Sequence, residues 1–106
     1  MIDCFLVYIT TSDRNQAETI GNALIEEKLA ACVNLIDPIT SIFKWDNNIE
    51  KEKEIVVLAK TTSVRYPALE QRVKELHSYD CPCIVALPIT SGNPDFLSWI
   101  EEETRL

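Results

Sequence analysis

The 106-residue sequence is poor in glycine and histidine, and it lacks long apolar runs. Two glycines and five prolines leave no low-complexity tract, so we expect residues 1–106 to fold throughout as a single domain. No apolar stretch approaches the roughly 20 residues of a membrane-spanning helix, which argues against a membrane partner. The net charge is −7 and no basic cluster is present, which argues against nucleic acid as a partner.

One histidine and four cysteines are the side chains most suited to bind soft metals or to act as nucleophiles. The N-terminal stretch MIDCFLVYITTSD has no basic segment before its apolar run, unlike a secretory signal peptide. We therefore expect a cytoplasmic protein, in which the cysteines are thiols rather than disulfides.

The order of the apolar patterns predicts an α+β fold. Predicted strands cover residues 2–10, 30–36 with a continuation at 39–45, 49–60 and 83–88, and predicted helices cover 13–29, 66–76 and a segment beginning at Pro94. Strand, helix, strand, strand, helix, strand is the ferredoxin-like split βαβ order, an antiparallel sheet with two helices on one face. The segment at Pro94 adds an extra C-terminal helix.

Polar residues mark the predicted helix starts. Asp13 precedes the first helix, Thr62 or Ser63 the second, and Asn93 the third, with Pro94 at the first helical position.

The second and third strands are predicted to form a long hairpin. Pro38 cannot donate to a ladder and predicts a bend or bulge, and residues 46–48 (Asp-Asn-Asn) predict the turn. An arm of about 13 residues spans ~43 Å, whereas a globule of this length is on the order of 30 Å across. The ribbon should overhang its core, and it carries apolar residues: Ile42, Phe43, Trp45 and Ile49. Oligomerisation through the hairpin would cover them.

The segment HSYDCPCIVALP, residues 77–88, concentrates possible metal ligands. His77, Cys81 and Cys83 supply an imidazole and two thiols, which suit copper or zinc. The alternative is that Cys83 packs in the core, Cys81 is a loop thiol and His77 forms a hydrogen bond near a helix end. Cys4 and Cys32 lie within apolar strands and are predicted core residues.

The signals for catalysis are weak. His77 with Cys81 is the one candidate pair for a nucleophilic cysteine and its base. The first strand-to-helix loop, TTSDRN, offers Arg14 for an anion but no glycine-rich cradle. We therefore expect a protein that is not an enzyme.

Four amphipathic or charged residues flank the apolar strands: Trp45, Glu54, Lys60 and Tyr79. Such residues usually pack at interfaces. Clustered in a cleft between subunits, they would line a small pocket.

The motifs LAACVN, SIFKWDNNIEKEKE, LAKTT, LHSYDCPCIVALPI and GNPDFLSWI, in this order, resemble the CutA divalent-cation tolerance family. The resemblance covers nearly the whole chain. It implies a ferredoxin-like protomer in a tight homotrimer whose long hairpins form inter-subunit sheets. It also implies a cytoplasmic protein linked to tolerance of copper and other divalent metals, without established catalysis and without an organic cofactor.

The resemblance places His77 and Tyr79 on the histidine and tyrosine of a His-Pro-Tyr motif, with Ser78 in place of the proline. Two other ligand positions of a proposed bacterial copper site are Ile9 and Leu76 in this chain, and neither side chain binds a metal.

Cys83 stands where the family commonly has a glutamate, which exchanges a hard oxygen ligand for a soft sulfur. We therefore hypothesise a relocated, softer metal site formed by His77, Cys81 and Cys83. Two alternatives are a structural or signalling trimer that binds a metabolite anion in inter-subunit clefts near Lys60 or Arg14, and a small hydrolase acting through His77 or Arg14.

Overall fold

A computed structural model describes residues 2–106, which form four strands and three helices. In chain order these are β1 (Cys4–Thr11), α1 (Arg14–Glu26), β2 (Cys32–Trp45), β3 (Asn48–Thr62), α2 (Tyr66–Leu76), β4 (Ile84–Pro88) and α3 (Pro94–Thr104). The strands form one antiparallel sheet in the order β2-β3-β1-β4. The predicted α+β arrangement is confirmed, including the extra C-terminal helix.

Helices α1 and α2 cover one face of the sheet. Because side chains alternate along a strand, every second residue points at these helices. The buried core contains strand residues Val7, Ile9, Ile55, Val57 and Ala59 and helix residues Ala17, Ile20, Leu24, Leu69 and Val73. Gly21 lets α1 approach β2 closely, since a Cβ there would lie 3.3 Å from Cγ1 of Val33.

The opposite face of the sheet is apolar and partly exposed. We call it the open face, and define it by Leu6, Tyr8, Ile36, Leu58, Val85 and Leu87, which alternate with the core residues of their strands. Ile36, Val85 and Leu87 are 46%, 50% and 50% exposed. Helix α3 packs at one end of the sheet, where Ile100 contacts Cys4 and Ala31.

The long hairpin forms as predicted. The register of β2 against β3 shifts between Ile36 and Ile39, at the cis Asp37–Pro38 bond. Asp46 and Asn47 form the turn with positive φ angles of 48° and 66°, a conformation that these residue types tolerate. Residues 48–54 of β3 pair with β2 alone, whereas residues 55–62 pair with β1. The molecule measures 45 × 26 × 21 Å, so the overhang is real.

The helix boundaries differ from the predictions at two points. Helix α1 ends at Glu26, before position 29, because Lys28 adopts a left-handed φ of 58°. Helix α2 has no side-chain cap at its N-cap residue, Arg65; instead, the Thr62 hydroxyl accepts a hydrogen bond from the Arg65 N–H at 3.3 Å. In residues 2–106, none of the helices has the length and apolar character needed to cross a membrane.

Candidate functional site

His77 lies where α2 ends, and its ring connects that end to β1. Its backbone N–H donates to the carbonyl of Val73 at 2.9 Å, which closes the last turn of the helix. The ring Nδ1 accepts a hydrogen bond from the Tyr79 N–H at 3.1 Å, and Nε2 lies 2.7 Å from the Thr10 carbonyl oxygen. Because a carbonyl can only accept, the ring hydrogen sits on Nε2. Both ring nitrogens are therefore engaged.

Tyr79 links this ring to a buried carboxylate. Its hydroxyl donates to Oε2 of Glu54 at 2.9 Å, and its ring lies 4.8 Å, between centroids, from that of His77. Glu54 is only 7% exposed and is the last residue of β3 before the segment that pairs with β1. We call these three residues the His77–Tyr79–Glu54 cluster. It fixes the loop after α2 to the root of the overhanging hairpin.

Burial, together with the hydrogen bond to Glu54 and its negative charge, raises the pKa of Tyr79 from 10.0 to about 12. Below the ordinary pKa the hydroxyl is protonated in both folded and unfolded chains, and the hydrogen bond contributes fully. Between pH 10.0 and about 12 the unfolded chain loses this proton while the folded chain keeps it. Stability should therefore fall as the pH rises through this range.

We expect Tyr79→Phe to lower the free energy of unfolding by about 1–3 kcal/mol near pH 9, because it leaves the buried Glu54 carboxylate without its partner. The gap between wild type and variant should narrow as the pH approaches about 12. Urea denaturation at a fixed protein concentration measures both quantities. A gap that stays constant across this pH range would contradict the assignment of the hydroxyl as the titrating donor.

The three predicted metal ligands are neighbours in sequence but do not form a preassembled site. Cys81 and Cys83 are exposed free thiols, and both nitrogens of His77 are occupied. Among residues 2–106 no group of three or more His, Cys, Asp or Glu side chains is placed to hold a metal ion. The alternative prediction that Cys83 packs in the core is also wrong. The prediction that His77 forms a hydrogen bond near a helix end is confirmed. Metal binding by these residues stays a prediction.

Glu54 and Tyr79 are brought together as the predicted pocket requires, but Lys60 and Trp45 lie elsewhere in the protomer. The Lys60 ammonium donates to Sγ of Cys32 at 3.6 Å and to Oδ1 of Asn34. Trp45 is at the exposed end of the hairpin. Any pocket containing all four side chains therefore needs residues from more than one subunit.

Arg14, the predicted anion-binding residue, and the first turn of α1 both form contacts within the protomer. The Arg14 guanidinium pairs with Glu18 at 2.7 Å and Asp37 at 3.4 Å. The first turn of the helix is capped by Asp13, whose carboxylate accepts from the Gln16 N–H at 2.8 Å. These contacts favour a structural role for Arg14.

The family model described as CutA1 divalent ion tolerance protein matches residues 5–103. The chain belongs to this family. It is 46% identical over 99 residues to the divalent-cation tolerance protein CutA of Thermus thermophilus, covering 93% of this chain and 96% of that protein. It is also 40% identical over 98 residues to mouse Protein CutA, covering 92% of this chain and 55% of the mouse protein.

Solved structures of CutA proteins have the same fold. The T. thermophilus structure superposes with a TM-score of 0.93 and covers 95% of this chain and 98% of that one. The CutA structure from Archaeoglobus fulgidus, described as a periplasmic divalent cation tolerance protein, is 42% identical with a TM-score of 0.93 and covers 96% and 99% of the two chains. The sequence resemblance to the CutA family is thus confirmed.

Proposed function

We propose that this protein is a homotrimer that binds copper or other divalent or soft metal ions as its part in divalent-cation tolerance. The open face is the observation on which we base the proposed assembly. A sheet with half-exposed Ile36, Val85 and Leu87 on one side, next to a two-stranded ribbon that projects beyond the core, has large apolar areas to cover.

The edges of the sheet support the same assembly. β2 and β4 are the outer strands, so each presents unpaired backbone groups, and β2 does so along 14 residues. Another copy of the chain would extend the sheet at these edges and cover the open face at the same time. The number of copies, three, follows the family resemblance.

The metal-binding part of the proposal concerns the loop at residues 77–83. Cys81 and Cys83 present two exposed thiols to solvent, and thiolates select soft ions such as Cu(I). His77 could join them through Nδ1, whose lone pair is held only by the Tyr79 N–H of the same loop. A metal at Nδ1 would replace that hydrogen bond and reorganise the loop, while the bond from Nε2 to Thr10 would keep the ring in place.

A competition titration with Cu(I) and with Zn(II) tests this assignment. We expect the reduced Cys81→Ser, Cys83→Ser double variant to lose more than about tenfold in affinity relative to the wild type, because its two soft ligands are gone. Cys32→Ser is the matched control, since it removes a half-buried thiol outside the loop. The wild type and the variants must first be shown to have the same mass in solution. Otherwise a change in oligomeric state could be mistaken for the loss of the metal site.

Unchanged affinity in the double variant would remove Cys81 and Cys83 from the proposed site. One observation then favours the alternative of a trimer that binds a metabolite anion. Among residues 2–106 the Lys60 ammonium forms no ion pair with a carboxylate, and it lies on the same side of the sheet as the open face. An anion in an inter-subunit cleft would supply the missing negative charge.

We further propose a binding role rather than a catalytic one, and a cytoplasmic location. In the structure the two ring nitrogens of His77 contact the Thr10 carbonyl and the Tyr79 N–H rather than the Cys81 thiol. Exposed thiols such as Cys81 and Cys83 persist in a reducing compartment. Cell fractionation with an antibody to the protein tests the location.

A further inference from the structure

Cys32 and Lys60 form a thiol–amine pair that no part of the proposed metal function uses. They are direct cross-strand partners in the β2–β3 ladder, so their side chains project from the same side of the sheet. The Lys60 nitrogen lies 3.6 Å from the Cys32 sulfur. Oδ1 of Asn34, two residues along β2, accepts from the same ammonium and holds it beside the sulfur.

The environment of Cys32 differs from that of the other three cysteines. Cys4 is buried and its sulfur faces the carbonyl of Leu97 at 3.9 Å, whereas Cys81 and Cys83 are exposed. Cys32 is half-buried in the protomer, and it is the cysteine whose sulfur accepts a hydrogen bond from a lysine ammonium. A neighbouring cation stabilises the negative charge that develops on sulfur as a thiol reacts.

We propose that Cys32 and Lys60 are an oxidative modification site, at which hydrogen peroxide drives formation of a covalent sulfur–nitrogen link between the two side chains. The link would bridge β2 and β3 at the end of their ladder away from the hairpin turn, and it would remove the positive charge of Lys60 from that side of the sheet. A thiol reductant would reverse it by attacking the sulfur and releasing the amine.

The chemistry proceeds in two balanced steps. In the first, the Cys32 sulfur attacks peroxide; a sulfur–oxygen bond forms, the oxygen–oxygen bond breaks, and two electrons pass from sulfur to the peroxide, which gives a sulfenic acid and water. In the second, the Lys60 amine, having released a proton to solvent, attacks that sulfur; the sulfur–nitrogen bond forms and the sulfur–oxygen bond breaks as water leaves. One thiol, one ammonium and one peroxide thus give the link, two waters and one proton.

The geometry favours condensation over further oxidation. Sulfenic acids condense with neighbouring thiols or nitrogens, and otherwise proceed to sulfinic acid. Here the nitrogen already contacts the sulfur in the reduced protein, so no strand movement is needed before the second step.

Treatment of the folded full-length chain with hydrogen peroxide, followed by denaturation, alkylation and mass spectrometry, tests the proposal. We use the Cys81→Ser, Cys83→Ser background beside the wild type, because a disulfide between those two thiols would also remove two hydrogens. The expected product has lost two hydrogens, resists alkylation at Cys32 and resists trypsin at Lys60. Dithiothreitol should restore both reactions.

Two controls distinguish a reaction that depends on the Cys32–Lys60 pair from the ordinary oxidation of a thiol. Lys60→Arg keeps a positive charge beside the sulfur but removes the amine, so Cys32 should proceed to sulfinic acid without a link. The same treatment in concentrated urea should give no link, because the strands no longer hold the pair together. A product in which folded Cys32 is sulfinic despite Lys60, a link that retains an extra oxygen, or equal linking in urea would each overturn the proposal.

Discussion

Val85→Asp is expected to convert the proposed trimer into monomers. Val85 lies on the open face opposite Tyr8, and at 50% exposed it would tolerate a carboxylate in an isolated protomer with little loss of stability. Within an apolar subunit interface the same carboxylate would lose its water without gaining a partner, which costs several kcal/mol. Threefold symmetry would repeat that cost at each interface. Sedimentation equilibrium at matched protein concentrations measures the outcome.

Val64→Asp is the matched control for this substitution. Val64 is 70% exposed, more than Val85, but it lies in the connection between β3 and α2 rather than on the open face. Its replacement should leave the mass in solution unchanged. If Val85→Asp retained the mass of the wild type, the open face would not be a subunit interface and the assembly proposed above would be wrong.

The strands were predictable because their residues are apolar, often β-branched and bounded by turn residues, whereas the side of the sheet to which each residue points followed only from the structure. Along β3, Val57 and Ala59 are buried against the helices while Leu58 and Lys60 point to the other side, as the period of two requires. The hairpin turn followed from the Asp and Asn side chains that tolerate positive φ, and the overhang followed from strand length alone.

The sequence did not predict which residues of β2 and β3 lie opposite each other. If the pairing of β2 with β3 continued without a bulge from Trp45 opposite Asn48, Cys32 would lie opposite Thr61, on the core side of the sheet. The extra residue at the bulge shifts the register by one, so Cys32 lies opposite Lys60 instead. Pro38 indicated a bulge, but the sequence does not say how many residues it inserts. The contact between the two side chains depends on that number.

The sequence also did not show that the three candidate metal ligands are not preassembled in the protomer. Spacing showed that His77, Cys81 and Cys83 lie close together along the chain, but not which lone pairs are free. The bond from His77 to the Thr10 carbonyl joins residues 67 positions apart, so only the packed structure reveals it. Thr10 thus matters to the site although no local pattern marks it.

Leu24→Ala is expected to lower the free energy of unfolding by about 2–5 kcal/mol, because it removes a large side chain from a closely packed region. Leu24 has no exposed surface and packs between α1 and the core face of the sheet. Urea denaturation at one fixed protein concentration measures the loss, since the stability of an oligomer depends on concentration.

Ile25→Ala provides the comparison within the same helix. Ile25 is adjacent to Leu24, of similar size and 43% exposed in the protomer, so its truncation should cost less than about 1 kcal/mol. If both variants lost the same free energy of unfolding, packing within one protomer could not be the only interaction that stabilises α1. Ile25, Val33 and Leu35 line a groove between α1 and the edge strand β2, and a large effect at Ile25 would mean that a neighbouring subunit fills this groove.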